Sequence, residues 1–236
     1  MARKKTSEKE MHPWDFEFKI EHNFNLNAVH KSFVALAMNR DTKMVFADGP
    51  AGTAKTYLAT YCALNLLKRK RVEEVVYIRS VVESASQKLG SLPGEVEDKF
   101  LPWSMPMIEK LDELVGIPVR KDLMERGYVH CVPVNFVRGL TFHDSVVIVD
   151  ESQNLTTNEL VTILTRFGEN SIFIVVGDGN QSDISNRSGF RPVYNCFDNE
   201  LSEENGVHTF TFGENEIVRS EVLRFIVSQL SNLPEN

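Results

Sequence analysis

Five apolar runs punctuate the chain, and most end in a charged or glycine-bearing step. Met44 to Ala47 gives way to Asp48-Gly49, Val75 to Ile78 to Arg79-Ser80, Val146 to Val149 to Asp150-Glu151, and Ile172 to Val176 to Gly177-Asp178, while Tyr128 to Val134 runs on toward Arg138-Gly139. Continuous apolar runs of this length, bounded by turn residues, predict strands buried on both faces. Helical spacing fills the gaps between them. Ala28, Phe33, Leu36 and Ala37 share a face before the first run, Leu58, Ala59, Cys62, Ala63, Leu66 and Leu67 follow it, and Asn158 to Phe167 lies between the last two runs. The chain closes with an alternating strand, Val207 to Phe212, and a helix placing Ile217, Val218, Val222, Phe225, Ile226 and Leu230 on one face. Strands alternating with helices in this way predict an α/β fold, a parallel or mostly parallel sheet with helices on both faces.

Three stretches break the pattern. Residues 1–12 are polar, basic and aperiodic, which predicts a mobile tail before one domain over 13–236. Trp14, Phe16, Phe18 and Ile20 alternate with charged residues, as a short strand or a strip laid on the core. Residues 80–127, punctuated by Gly90, Pro93, Gly94, Pro102 and Pro106, predict a small irregular insertion or subdomain with short helical patterns around Leu111 and Leu123. Gly179 to Arg191 is expected to be a loop.

A length of 236 residues allows one sizeable α/β domain. No apolar run approaches the roughly 20 residues of a membrane span, and the first residues lack the apolar stretch of a signal peptide, so a cytoplasmic location is expected. Cys62, Cys131 and Cys196 form no C-x-x-C pair. The net charge of −7 argues against a surface coated for phosphate binding, so any nucleic-acid contact must come from a local patch. The basic run Lys68-Arg69-Lys70-Arg71 is such a patch or, more simply, the complement of a helix C-terminus.

The first apolar run ends in Gly49-Pro50-Ala51-Gly52-Thr53-Ala54-Lys55-Thr56. Strand, tight loop and helix N-terminus aim several backbone N–H groups and a helix dipole at one place, which is what a triphosphate requires. Lys55 would reach the β- and γ-phosphates, and Thr56 would place its hydroxyl on Mg²⁺. An ordinary Gly/Pro turn is the bland alternative, and the joint placement of Gly49, Gly52, Lys55 and Thr56 argues against it. Ala54 stands where the usual pattern has glycine, a change that a helical backbone there would tolerate.

Two later motifs agree with ATP hydrolysis. Asp150-Glu151 supplies one carboxylate for a metal shell and a second to polarise water. Gln181, after Gly177-Asp178, would share the same sheet edge and sense the γ-phosphate. Taken alone, each of these segments also reads as a capped strand end or a polar turn.

With these residues in place, the chain resembles the PhoH-like family of phosphate-starvation-inducible P-loop ATPases, similar to the nucleotide-binding half of superfamily-one helicases. The resemblance rests on Gly49 to Thr56, Lys88-Leu89-Gly90-Ser91-Leu92-Pro93-Gly94, Arg138-Gly139, Asp150-Glu151-Ser152-Gln153-Asn154, Gly177-Asp178 with Gln181, and Val218-Arg219. It implies a RecA-like core, dependence on ATP and Mg²⁺, a link to RNA or single-stranded nucleic acid, and a homo-oligomeric ring, a hexamer. By position it makes Lys55 and Thr56 the triphosphate pair, Asp150 the metal acid, Glu151 the base and Gln181 the γ-phosphate sensor. Three features depart from the family: Ala54, Ser152 where alanine is usual, and His30 near the place of an expected glutamine.

A single core has no second core to donate a transition-state arginine, so a neighbouring subunit becomes the natural source. Arg219, favoured by the resemblance, Arg138 and Arg191 are the candidates, each equally readable as a surface cation or an intrachain ion-pair partner. Two rivals to a nucleic-acid motor are a nucleotide-switched assembly protein with slow hydrolysis and a small-molecule kinase. The water-activating Asp-Glu pair disfavours the kinase.

Overall fold

The computed structural model describes residues 17–21, 25–80 and 96–218, and beyond them Val222, Phe225, Ile226 and Gln229. The tail, Trp14, Phe16, the Lys88 to Gly94 motif and Arg219 lie outside the described residues.

The five apolar runs and the closing alternating segment all form strands. β1 (Met44–Asp48), β2 (Glu74–Arg79), β3 (Val129–Pro133), β4 (Ser145–Asp150), β5 (Ile172–Gly177) and β6 (Val207–Thr211) make one sheet in the order β3-β2-β4-β5-β1-β6. All its pairings are parallel. Alternation along the strands divides the core in two. Val45, Ala47, Val146 and Ile148 face one side with α1 (Ala28–Ala37), α2 (Lys55–Lys68), α3 (Val96–Val115) and α4 (Ile117–Glu125). Phe46, Val147, Val149 and Phe173 face the other, with α5 (Thr157–Leu164) and α6 (Phe190–Phe197). This arrangement explains why the runs are apolar throughout: strands covered on both faces have no solvent side.

The irregular insertion expected over 80–127 is, in its described part, two helices. α3 continues through Pro102 and Pro106 for 20 residues. An interior proline removes its own N–H from the helix ladder and crowds the carbonyl four residues back, at a cost of about 3 kcal/mol, but Met107, Leu111 and Leu114, all fully buried, pack beside α2 at spacings of four and three. Burying each such side chain contributes roughly 1.5–3 kcal/mol, and together they offset the cost of the two prolines. The loop expected over 179–191 also ends sooner, because α6 begins at Phe190, with Pro192 in its first turn where an N–H is not needed. A short α7 (Glu200–Glu204) follows, capped by Asn199.

Phe18 forms no strand. It lies as a strip on the core, with the Lys68 ammonium over its ring at 5.9 Å, and the neighbouring Glu21 N–H donates to Leu114 O at 2.7 Å. Among the described residues no helix is long and apolar enough to cross a membrane.

Parallel register brings the strand ends to one edge. Asp48 pairs with Gly177, and Arg79 with Asp150. β5 lies between β1 and β4, so the loops after these three strands converge on one crevice.

Candidate active site

The loop after β1 folds around its own lysine. Lys55 Nζ donates to Gly49 O at 2.5 Å and Pro50 O at 2.9 Å, and lies 3.4 Å from Thr53 Oγ1. Gly49 is required by close approach, since a Cβ there would sit 2.7 Å from Phe212 Cβ. Gly52 has φ +88°, in the left-handed region where glycine is free and other residues are strained.

Ala54 departs from expectation. Its backbone is left-handed, φ 63° and ψ 22°, rather than right-handed helical. An L-residue in that region costs about 1–2 kcal/mol.

Helix α2 starts at Lys55, so Thr56 faces the sheet edge. Its hydroxyl donates to Asp150 Oδ1 at 2.8 Å, and the buried Tyr77 hydroxyl donates to Asp150 Oδ2 at 2.6 Å. Burial, and then the nearby carboxylate, push the Tyr77 phenol well above its ordinary range, so it remains a donor. Glu151 is also left-handed, φ 50° and ψ 41°, which bends the chain as it leaves β4. One carboxylate oxygen of Glu151 accepts from Gln153 Nε2 at 2.5 Å, and the other stands 3.8 Å from Arg79 Nη2. Gln153 in turn accepts the Asp178 N–H on its amide oxygen at 3.1 Å, tying the β4 turn to the β5 turn. Ser152 is satisfied, because its hydroxyl donates to Val176 O at 2.7 Å.

A cleft of about 500 Å³ collects Lys55, Thr56, Asp150, Glu151, Asp178 and Gln181, with Lys110 and Glu113 of α3 on its wall. Burial depresses the Lys55 ammonium, and Asp178, Glu151, Asp48 and Asp150 oppose that shift. Burial raises the Asp178 carboxyl, against its hydrogen bond from Asn180 N–H and the charge of Lys55. The Lys55 ammonium is thus set among several carboxylates, where added positive charge would be welcome.

Of the arginine candidates, Arg191 is held within the chain. Its Nη1 is 2.8 Å from Asp48 Oδ2, while Asp48 Oδ1 accepts the Gly179 N–H at 2.8 Å. Arg138 is exposed on the turn after β3. Arg219 is outside the described residues, but the preceding Val218 donates its N–H to Gly52 O at 3.1 Å and lines the cleft. His30 is buried in the capping box of α1, where Nδ1 accepts the Asn27 N–H and Asn27 Oδ1 accepts the His30 N–H.

Sequence reasoning assigned no role to Tyr77, Gln153, Arg79 or Asp48. Gln153 carried a signal, two residues after Glu151. Tyr77 sits inside an apolar strand and carried none.

The PhoH-like protein family model matches residues 26–231. A PhoH-like protein of Bacillus subtilis is 33% identical over 222 residues, covering 90% of this chain and 68% of its own length. Protein PhoH of Escherichia coli K12 is 35% identical over 182 residues, covering 75% of this chain and 50% of its own. Among solved structures, the helicase domain of Pyrococcus furiosus Hef aligns over 80% of this chain and 38% of its own, with a TM-score of 0.45 and 13% identity.

Proposed function

The chain belongs to the PhoH-like protein family, and from that premise we propose that it hydrolyses ATP with Mg²⁺ and couples turnover to RNA or another single-stranded nucleic acid. The observation that carries this reading is the hydrogen bond between Thr56 and Asp150 beside Lys55 and Glu151 in one cleft. A hydroxyl and a carboxylate are hard oxygen donors, and Mg²⁺ takes one or two such protein ligands while waters and phosphates supply the rest. Bound there, the ion would neutralise developing charge on the triphosphate.

The residues of this chain divide the remaining work. The loop N–H groups and Lys55 bind phosphate oxygens, which exchange for the loop carbonyls that the ammonium holds in this structure. Glu151, at the lip of the cleft, takes a proton from the attacking water. Gln181 contacts the γ-phosphate or that water. Arg219, the candidate that the family resemblance favours, would in a ring, a hexamer, be given to the cleft of the next subunit. A cytoplasmic location fits this chemistry.

A second reading, a nucleotide-timed assembly protein with slow hydrolysis, draws support from the strained backbone at Ala54. Turnover measured on the parent chain and on Lys55→Ala, with and without single-stranded RNA or DNA, tests the first reading. The parent should hydrolyse ATP and Lys55→Ala should lose most of that activity while remaining folded; equal rates would reject the assignment.

A further inference from the structure

A second cavity, about 690 Å³, runs along the edge strand β3 from Glu74 and His130 to Arg79 and Pro133. It is larger than the cleft that holds Lys55 and Glu151. Its walls combine a guanidinium, Arg79, with an indole, Trp103 of α3, and apolar surface from Leu140. Arg79 belongs to both places. It lines this cavity, and its Nη2 reaches Glu151 Oε1 in the neighbouring cleft at 3.8 Å.

We propose that this cavity is a subsite for single-stranded nucleic acid and that Arg79 reports its occupancy to Glu151. The inference rests on the reading of the first cleft as an ATPase site. Cationic and aromatic groups along a groove are what a single strand uses, phosphates pairing with the cation and bases stacking on the ring. The contact between Arg79 and Glu151 is long, and both side chains are partly exposed, at 28% and 39%. Ion pairs of that kind shift an equilibrium by no more than about 5-fold. A phosphate accepts two parallel hydrogen bonds from a guanidinium, a stronger arrangement than one distant carboxylate oxygen. A strand entering the cavity therefore draws Arg79 away, and Glu151 keeps only the Gln153 amide, free to turn toward water. Nucleic acid binding in one cavity thus raises turnover in the other. Arg79 acts here as a positioning residue, through Glu151.

The test uses the full chain. Values of kcat and KM for ATP are measured for the parent, Arg79→Ala and Arg79→Lys, alone and with oligo(U) or oligo(dT), and binding of each oligonucleotide is followed by fluorescence anisotropy. Arg79→Ala should raise basal kcat by up to about 5-fold at unchanged KM, bind the oligonucleotides more weakly and lose most of their stimulation. Arg79→Lys keeps the charge and should fall between the two, which separates the effect from misfolding. Stimulation by both oligonucleotides would assign recognition to the phosphate backbone, and stimulation by oligo(U) alone to RNA. A lower basal kcat in Arg79→Ala overturns the inference and leaves the ATPase reading standing, while a parent that hydrolyses ATP equally with and without both oligonucleotides overturns the inference and the coupling to nucleic acid and leaves ATP hydrolysis alone. A parent no more active than Lys55→Ala removes both.

Discussion

Thr56 and Asp150 meet at a hydrogen bond of 2.8 Å although 94 residues separate them in the chain. The bond joins the first turn of α2 to the end of β4, and it can form only because β4 and β1 are both parallel to β5, which lies between them. Asp150→Asn should therefore keep the fold, since Tyr77 can still donate to the amide oxygen, and should lose divalent-metal dependence. ATP affinity measured with Mg²⁺ and with a chelator should differ clearly in the parent. In the variant that difference should shrink by about 10-fold or more. An undiminished metal effect would remove Asp150 from the metal site.

Glu151→Gln is expected to bind ATP like the parent and to turn it over about 10²-fold more slowly, because an amide cannot take the proton. Single-turnover kinetics with a separate binding titration make the distinction. Loss of binding in step with turnover would recast Glu151 as a metal ligand.

The left-handed backbone at Ala54 is not the helical one that would tolerate alanine in place of glycine. Ala54→Gly should relieve about 1 kcal/mol of strain and raise the melting temperature by roughly 2–4 °C for a domain of this size. A calorimetric scan showing no rise would contradict this. A large gain in kcat in the same variant would favour the nucleotide-timed reading.

His130 and Glu74 give a pH signature at the far end of the second cavity. The Glu74 carboxylate, 3.2 Å from Nε2, raises the His130 pKa above its ordinary value, against the opposing effect of burial. A raised folded pKa means that the contribution to stability is fully present below about pH 6.5 and is lost as pH rises through the folded value. Glu74→Gln should lower the His130 midpoint in an NMR titration. It should also destabilise the protein more at about pH 6 than at about pH 9, where the imidazole is neutral. Equal destabilisation at both values would show that the pair acts only through packing.

Much of this protein was legible along the chain because its decisive features are local. The strands announce themselves as apolar runs, since both faces of the sheet are covered. The loop from Gly49 to Thr56 and the pair Asp150-Glu151 are each contained within a few residues, so composition and spacing suffice to recognise them. The tertiary structure decided what depends on distant groups. The continuity of α3 through Pro102 and Pro106 follows from burial of Met107, Leu111 and Leu114, which no local propensity records. Arg191 could have served a neighbouring subunit until folding set it against Asp48. The backbone at Ala54 is left-handed because the turn from β1 into α2 demands it, at a position where the residue type alone favours the right-handed form. Tyr77, Arg79 and Gln153 acquire roles only once β2, β4 and β5 end side by side, because a hydrogen bond acts over about 3 Å and the chain leaves open, until the strands are ordered, which ends will come that close.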